Sequence, residues 1–451
     1  MCGVMLGGAL STDLYELTMM AGYYTAGIMA PGTFELYVRD LPPNRSFLVA
    51  AGLEQALVYL ENLQFSRDDI AHIRALPGLA SVKAAFFDDY LPGFRFTGDV
   101  WAIAEGMPVF PPAPLVRITA PMPEAQLVET ALLAHIAFQT SVASRAVRLV
   151  DAAAGRSVVD FGARRAHGIE AGLLAARAAF LAGCDATSNV EAGRRFGIPA
   201  SGTMAHSWVM AFADEVTAFR AYENVFGDAV VLLDTYDTER AARAVAASGL
   251  KPRAVRLDSG DLISLSRSVR AILDAGGLLD TSIFVSSDLD ELRIDDLLAA
   301  GAPIDGFGVG GALTTASDAP ALGAIYKLVE IEREGVNVPI MKLSPGKHSY
   351  PGRKQVWRRL ENGRAVEDVI ELADKPGPRA AQPLLERVMT NGRRTGPPPS
   401  LVRLRARCRE AVAVLPESVR RIRGAVSYRV RIGDGLKSTI DEISLARATV
   451  R

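Results

Sequence analysis

The chain is short of the residues that build disulfide frameworks and zinc clusters. Cysteine occurs three times, at Cys2, Cys184 and Cys408. These are far apart and any pairing leaves one over, which excludes both and points to a reducing cytosol. An excess of either charge is also missing. Lys+Arg is 50 against 51 for Asp+Glu, a formal net charge of -1. Bulk attraction to nucleic acid or acidic lipid is excluded, although a local basic pocket for a small anion is not. No apolar run approaches the length of a membrane span. Residues 1–10 are uncharged and mostly apolar, yet lack the basic start and longer apolar stretch of a signal peptide. The expectation is a cytoplasmic protein with neither membrane nor nucleic acid as partner.

What is present suits a large globular enzyme. A chain of 451 residues, 49% hydrophobic and 22% charged, suggests two or three domains. In the first 110 residues, Ser11 reads as a helix cap ahead of Leu14 and Leu17. Thr33 to Val38 alternates as a strand, and Ser66 with Asp69 has capping-box spacing. Six prolines between 108 and 123 mark a crossover. Glu124 to Phe138 then carries apolar residues at helical spacing.

From about 150 to 330 short apolar runs alternate with alanine-rich helical stretches. The runs are Ser157–Phe161, Ala229–Leu233, Ala254–Leu257, Ser282–Val285 and Ile304–Val309, with weaker candidates at Asp185–Thr187 and Ser201–Ala205. Repeated strand–helix units imply parallel strands with crossover helices. Six or seven in one block favour an irregular (β/α) barrel over an open sheet. The expected fold class is α/β. A barrel-like catalytic domain spans 121–334, and an α+β domain is built from both chain ends, 1–120 and 335–451.

Functional groups of such a barrel gather at the carboxyl ends of its strands. Nearly every apolar run here ends in a polar group. Asp160 is followed by Arg164 and Arg165, which suit a carboxylate or phosphate beside a flat ring. Asp185, Ser201, Thr203 and His206 follow later runs, and His206 is the histidine best placed for acid–base or nucleophilic work. Asp258 and Asp261 flank a glycine turn and suit a ribose diol or a hydrated Mg²⁺. Ser286, Ser287 and Asp288 end another run. Gly308, Gly310 and Gly311 follow the last, where bare backbone N–H groups can approach a phosphate. Each polar ending also has a plainer reading as the N-cap of the next helix, and Asp234 and Ser287 are evenly balanced between the two.

Taken together, STDLYELTM at 11–19, VVDFGARRAHG at 158–168, GCDATSNVEAG at 183–193, SGTMAHSW at 201–208, VRLDSGDL at 255–262, SSDLDE at 286–291, GFGVGG at 306–311 and KLSPGKHSYPGRKQVWR at 342–358 resemble the nicotinate phosphoribosyltransferases. The resemblance implies a type II phosphoribosyltransferase-like fold. The implied enzyme joins nicotinate to 5-phosphoribosyl 1-pyrophosphate in NAD biosynthesis, with ATP hydrolysed through a phosphohistidine, Mg²⁺ required, and a homodimer sharing its sites. It further implies His206 as the phosphorylated residue. Tyr15, Phe161 and Thr203 would lie around nicotinate, with Tyr15 supplied by the partner subunit, and Asp13 and Ser201 would be substrate-binding. Arg164, Arg256, Asp185, Asp258 and Ser286 would lie around ring, ribose and phosphates, with Gly308, Gly310 and Gly311 at the 5′-phosphate. Asp258 and Asp261 are the expected Mg²⁺ ligands. Two positions depart from the family pattern: Gly311 stands where a threonine is usual, and Ser287 where asparagine is common. The alternatives are a nicotinamide phosphoribosyltransferase and a non-catalytic nucleotide-binding relative.

Overall fold

The structure, a computed structural model, describes residues 7–342 and 349–448. His348 and Cys2 lie outside them, as does 343–348 of the basic segment that carries the last matching motif. The chain folds as two compact units. One takes the chain up to Ser141, Ala321–Arg421 and the chain from Ala425 onward; the other takes Val142–Pro320 with Ile422–Gly424. The first unit is thus built from both chain ends, with the boundaries at 141 and 321 where the sequence suggested 120 and 335.

The first unit centres on a seven-stranded sheet. Its strands run in the order Val336–Pro339, Ala324–Arg333, Pro31–Val38, Pro114–Pro121, Asp99–Ile103, Leu385–Thr390 and Arg393–Arg394. Neighbours pair antiparallel throughout. Leu36, Val100 and Ile118 bury one face completely. A second, four-stranded sheet holds the hairpin Lys354–Glu361 and Arg364–Leu372, which the sequence did not announce. Lys354 is buried there and satisfied by Glu35 at 2.9 Å, as a buried charge requires. The first helix, Leu14–Ala26, begins after Asp13 and not after Ser11. The capping box at Ser66 and Asp69 forms in full ahead of Arg67–Ala75.

The second unit carries the parallel sheet. Its strands are β1 Ser157–Asp160, β2 Ala186–Thr187, β3 Val230–Leu232, β4 Ala254–Leu257, β5 Ser282–Val285 and β6 Gly306–Val309. They pair in the order β2-β1-β6-β5-β4-β3, all parallel. The first strand lies beside the last, so the sheet curls as a barrel does, and it stays open between β2 and β3. The stretch 201–205 is not a strand; a single bridge, Thr187 to Ala200, marks where it would have joined. The helices that the spacing suggests at 168–182, 188–196, 237–248, 261–275 and 289–300 are present, from Ile169–Leu181 to Glu291–Ala299. Glu215–Phe226 and the short His206–Met210 were not foreseen. Among the described residues no helix is long and apolar enough to cross a membrane.

Candidate active site

The carboxyl ends of the six strands converge, and buried hydrogen bonds hold them there. Asp160, at the end of β1 and almost fully buried, accepts from Gly162 N at 2.8 Å, Thr187 Oγ1 at 2.7 Å and Thr314 Oγ1 at 3.4 Å. Burial raises its pKa, and these three hydrogen bonds work against the rise. One carboxylate therefore ties together the ends of β1 and β2 and the helical turn Gly311–Thr314. Gly162 has to be glycine for lack of room, since a Cβ would overlap the Thr314 side chain.

Phe161 follows, its N–H donated to Val309 O at 2.8 Å. Its ring lies 5.9 Å from that of Phe284 on β5, and the Arg256 guanidinium sits 5.7 Å above it. Phe161 lies where two cavities meet. One, of about 310 Å³, reaches from Phe161, Phe284, Ser201 and Thr203 along the sheet to the amino ends of the strands, where Ser157, Asp185, Arg253 and Asp305 line it. The other, of about 220 Å³, is lined by Arg164, Arg165, Arg256, Asp258, Ser286 and the glycines 308, 310 and 311. An aromatic slot thus adjoins a pocket rich in guanidinium groups and bare backbone, the division a flat ring joined to a phosphorylated sugar requires.

Arg256 organises the junction. Its Nε donates to Ser286 Oγ at 2.8 Å, one Nη to Thr203 Oγ1 at 2.6 Å and the other to Asp258 Oδ1 at 2.7 Å. Ser286 Oγ donates to the same Asp258 oxygen. Burial alone would raise the Asp258 pKa, but the hydrogen bonds from Ser286 and Arg256 outweigh it and hold it below the usual carboxylate range. His206 opens the short helix His206–Met210. Its Nε2 lies 3.8 Å from Asp258 Oδ2, and its Nδ1 lies 3.2 Å from Thr235 Oγ1.

Several expected residues have different surroundings. Asp185 precedes β2 rather than following it, and its carboxylate accepts from Val158 N at 3.2 Å while facing the ring-sized cavity. Asp261 is the cap of Leu262–Ala275, accepting from Ile263 N at 3.2 Å and Ser264 Oγ at 2.6 Å. Asp234 is not a cap. It takes Asp258 N at 3.1 Å and the Ser259 hydroxyl, locking the ends of β3 and β4 together. Gly311 lies in a helical turn outside the left-handed region. Asp13 and Tyr15 belong to the first unit. Asp13 accepts from Thr130 Oγ1 at 2.7 Å. Tyr15 is 47% exposed, and its pKa is raised by burial and by Glu129 and Glu16. Phe284 is the neighbour that sequence reasoning missed, while Thr235, with Asp234, was among the polar strand endings that the sequence offered. Phe284 read as strand core, and Thr235 meets His206 only through the tertiary fold.

The chain matches the nicotinate phosphoribosyltransferase (NAPRTase) N-terminal domain over residues 10–137, the nicotinate phosphoribosyltransferase (NAPRTase) family over 156–356, and the corresponding C-terminal domain over 377–440. It belongs to the nicotinate phosphoribosyltransferase family. Nicotinate phosphoribosyltransferase pncB2 of Mycobacterium tuberculosis is 47% identical over 435 residues, covering 95% of this chain and 92% of the relative. The Bacillus subtilis nicotinate phosphoribosyltransferase is 44% identical, covering 81% and 76%. Among solved structures, human nicotinic acid phosphoribosyltransferase superposes with a TM-score of 0.84 at 28% identity, covering 96% of this chain and 99% of that one.

Proposed function

We propose that this enzyme transfers the phosphoribosyl group of 5-phosphoribosyl 1-pyrophosphate to nicotinate, coupled to ATP hydrolysis through phosphorylation of His206. The aromatic slot that meets a guanidinium-lined pocket at Phe161 carries the reading. Phosphoribosyl transfer itself is the family's reaction, and it serves NAD biosynthesis.

The chemistry asks little of a general base, because the pyridine nitrogen is already a nucleophile. Breaking the bond from ribose C1 to pyrophosphate places positive charge on the sugar and negative charge on the leaving group. Phe161 stacks the ring, and Arg256 above it suits a carboxylate better than a neutral amide, which favours nicotinate over nicotinamide. Arg164, Arg165 and the backbone at Gly308, Gly310 and Gly311 receive the phosphates. Asp258, held ionised by Arg256 and Ser286, faces the developing sugar cation.

Mg²⁺ suits this donor set in one form only. Among the described residues no three His, Cys, Asp or Glu side chains gather as a metal site, and Asp261 is committed to its helix. A Mg²⁺ that keeps most of its waters and substrate oxygens needs one or two carboxylates. Asp258 Oδ2 and the buried, unpartnered Asp234 Oδ1 would provide them. Bound there, the ion would neutralise charge on the departing pyrophosphate. A cytoplasmic homodimer with sites shared between subunits completes the proposal.

A steady-state assay of nicotinate mononucleotide formation, with and without ATP, tests it. ATP should raise the rate, and γ-labelled ATP should leave acid-labile label on the wild-type protein and none on His206→Ala. Equal labelling of the two proteins would reject the phosphohistidine assignment. No product from nicotinate would reject the activity.

A further inference from the structure

His206 has a hydrogen-bonding neighbour to which no role has been given. Thr235 Oγ1 lies 3.2 Å from its Nδ1, brought there by the loop that follows β3. Neither the helix cap nor the strand tie of this loop uses that hydroxyl. Asp237 caps the next helix, accepting from Arg240 N at 2.8 Å, and Asp234 ties β3 to the Asp258 loop. The other ring nitrogen, Nε2, is 3.8 Å from Asp258 Oδ2, too far for a hydrogen bond. The remaining Asp258 oxygen is already taken by Arg256 and Ser286. The ring is 40% exposed on its side chain, and among the described residues the contact with Thr235 is the hydrogen bond that orients it; the tautomer follows from whether that hydroxyl donates or accepts.

We propose that Thr235 is a positioning residue that holds His206 as the Nδ1–H tautomer and so makes Nε2 the nucleophile toward ATP. The proposal rests on the phosphohistidine reading above. A neutral imidazole free in water prefers its proton on Nε2, where it would block attack from that nitrogen. An acceptor at Nδ1 reverses the preference. The step then balances. The Nε2 lone pair forms a bond to the γ-phosphorus, and the bond from that phosphorus to the β,γ-bridging oxygen breaks. ADP leaves with the electron pair, and Nδ1 keeps its proton. The ring gains positive charge, which strengthens Nδ1–H to Thr235 and is met on the other side by the Asp258 carboxylate. Thr235 therefore contributes more in the transition state than in the resting enzyme.

Two readouts test this on the full-length protein with ¹⁵N-labelled histidine, the His206 resonances being identified by their loss in His206→Gln. In the wild type, Nε2 should show the shift of an unprotonated nitrogen and Nδ1 that of a protonated one. Thr235→Ser should keep this pattern and the wild-type rate of labelling by γ-labelled ATP. Thr235→Val, which keeps the shape and loses the hydroxyl, should move the proton toward Nε2. It should also slow labelling by about tenfold, the size of one neutral hydrogen bond. Thr235→Ala serves as a second variant should valine disturb the fold. A wild type already protonated on Nε2, or hydroxyl-free variants with unchanged tautomer, would overturn the proposal. So would a Thr235→Ser that labels as slowly as valine. If the wild type takes no label, the phosphohistidine reading fails, and the tautomer measurement still decides what Thr235 does.

Discussion

Gly311 stands where the resemblance to the family implies a threonine at the proposed phosphate loop, and its surroundings say what a hydroxyl there would do. The position is helical, and a Cβ would lie 3.3 Å from Arg165 Cδ, part of a flexible side chain. Threonine is therefore tolerable. The nearby hydroxyls are engaged elsewhere, Thr314 with Asp160 and Thr315 with Gly311 O at 2.8 Å. Gly311→Thr should lower the KM for 5-phosphoribosyl 1-pyrophosphate by about tenfold, since a hydrogen bond to a charged acceptor contributes roughly 1.5–3 kcal/mol. The nicotinate KM should stay nearly constant. Unchanged kinetics would place the phosphate away from this loop. Ser287 is the second departure, and it sits at φ 130°, a region that disfavours any side chain. Such strain costs about 1–3 kcal/mol. Ser287→Gly should raise the melting temperature measured by calorimetry, and an unchanged value would show that the backbone is not strained there.

At the scale of elements, the strands position chemistry by what they leave out. Gly308 on β6 faces Phe161 so closely that a Cβ would sit 2.5 Å from its ring and 3.0 Å from Phe284. The missing side chain is what lets Phe161 lie across the strand between the two cavities. Gly308→Ala should push the ring aside and raise the nicotinate KM more than that for 5-phosphoribosyl 1-pyrophosphate, read from paired saturation curves. Equal changes in the two constants would show that Phe161 does not form the ring site. Elements were legible where periodicity was strong. Leu262–Ala275 and Leu401–Ala413 stand within a residue or two of the helices that the spacing suggests at 261–275 and 401–414. The helix Glu215–Phe226 was missed, although Asp214 caps it, because polar and aromatic residues interrupt its apolar stripe.

For the whole molecule, Asp13 and Tyr15 belong to the first unit and His206 to the second. If the partner subunit supplies Tyr15, inactive subunits should complement one another. Mixing Tyr15→Ala with His206→Ala should restore part of the activity, because a hybrid dimer holds one site free of both changes. No recovery after verified subunit exchange would mean that each chain builds its site alone.

The chain by itself determined the alternation of strand and helix, the polar ending of almost every barrel strand and the segments that mark the family. These are local: a period of two or 3.6, a cap, or a run of neighbouring residues writes them directly into the order of amino acids. Only the tertiary structure decided which endings face the cavities and which are tied into the fold. Asp160 and Asp258 look alike in sequence, yet one is buried among Gly162, Thr187 and Thr314 while the other faces His206. Asp261 looked like a metal ligand and caps a helix. Thr235 was one polar strand ending among several, and only the fold brings it to the histidine. Strand pairing sets those partnerships across long stretches of chain, and a hydrogen bond between distant residues leaves no periodic trace in the sequence.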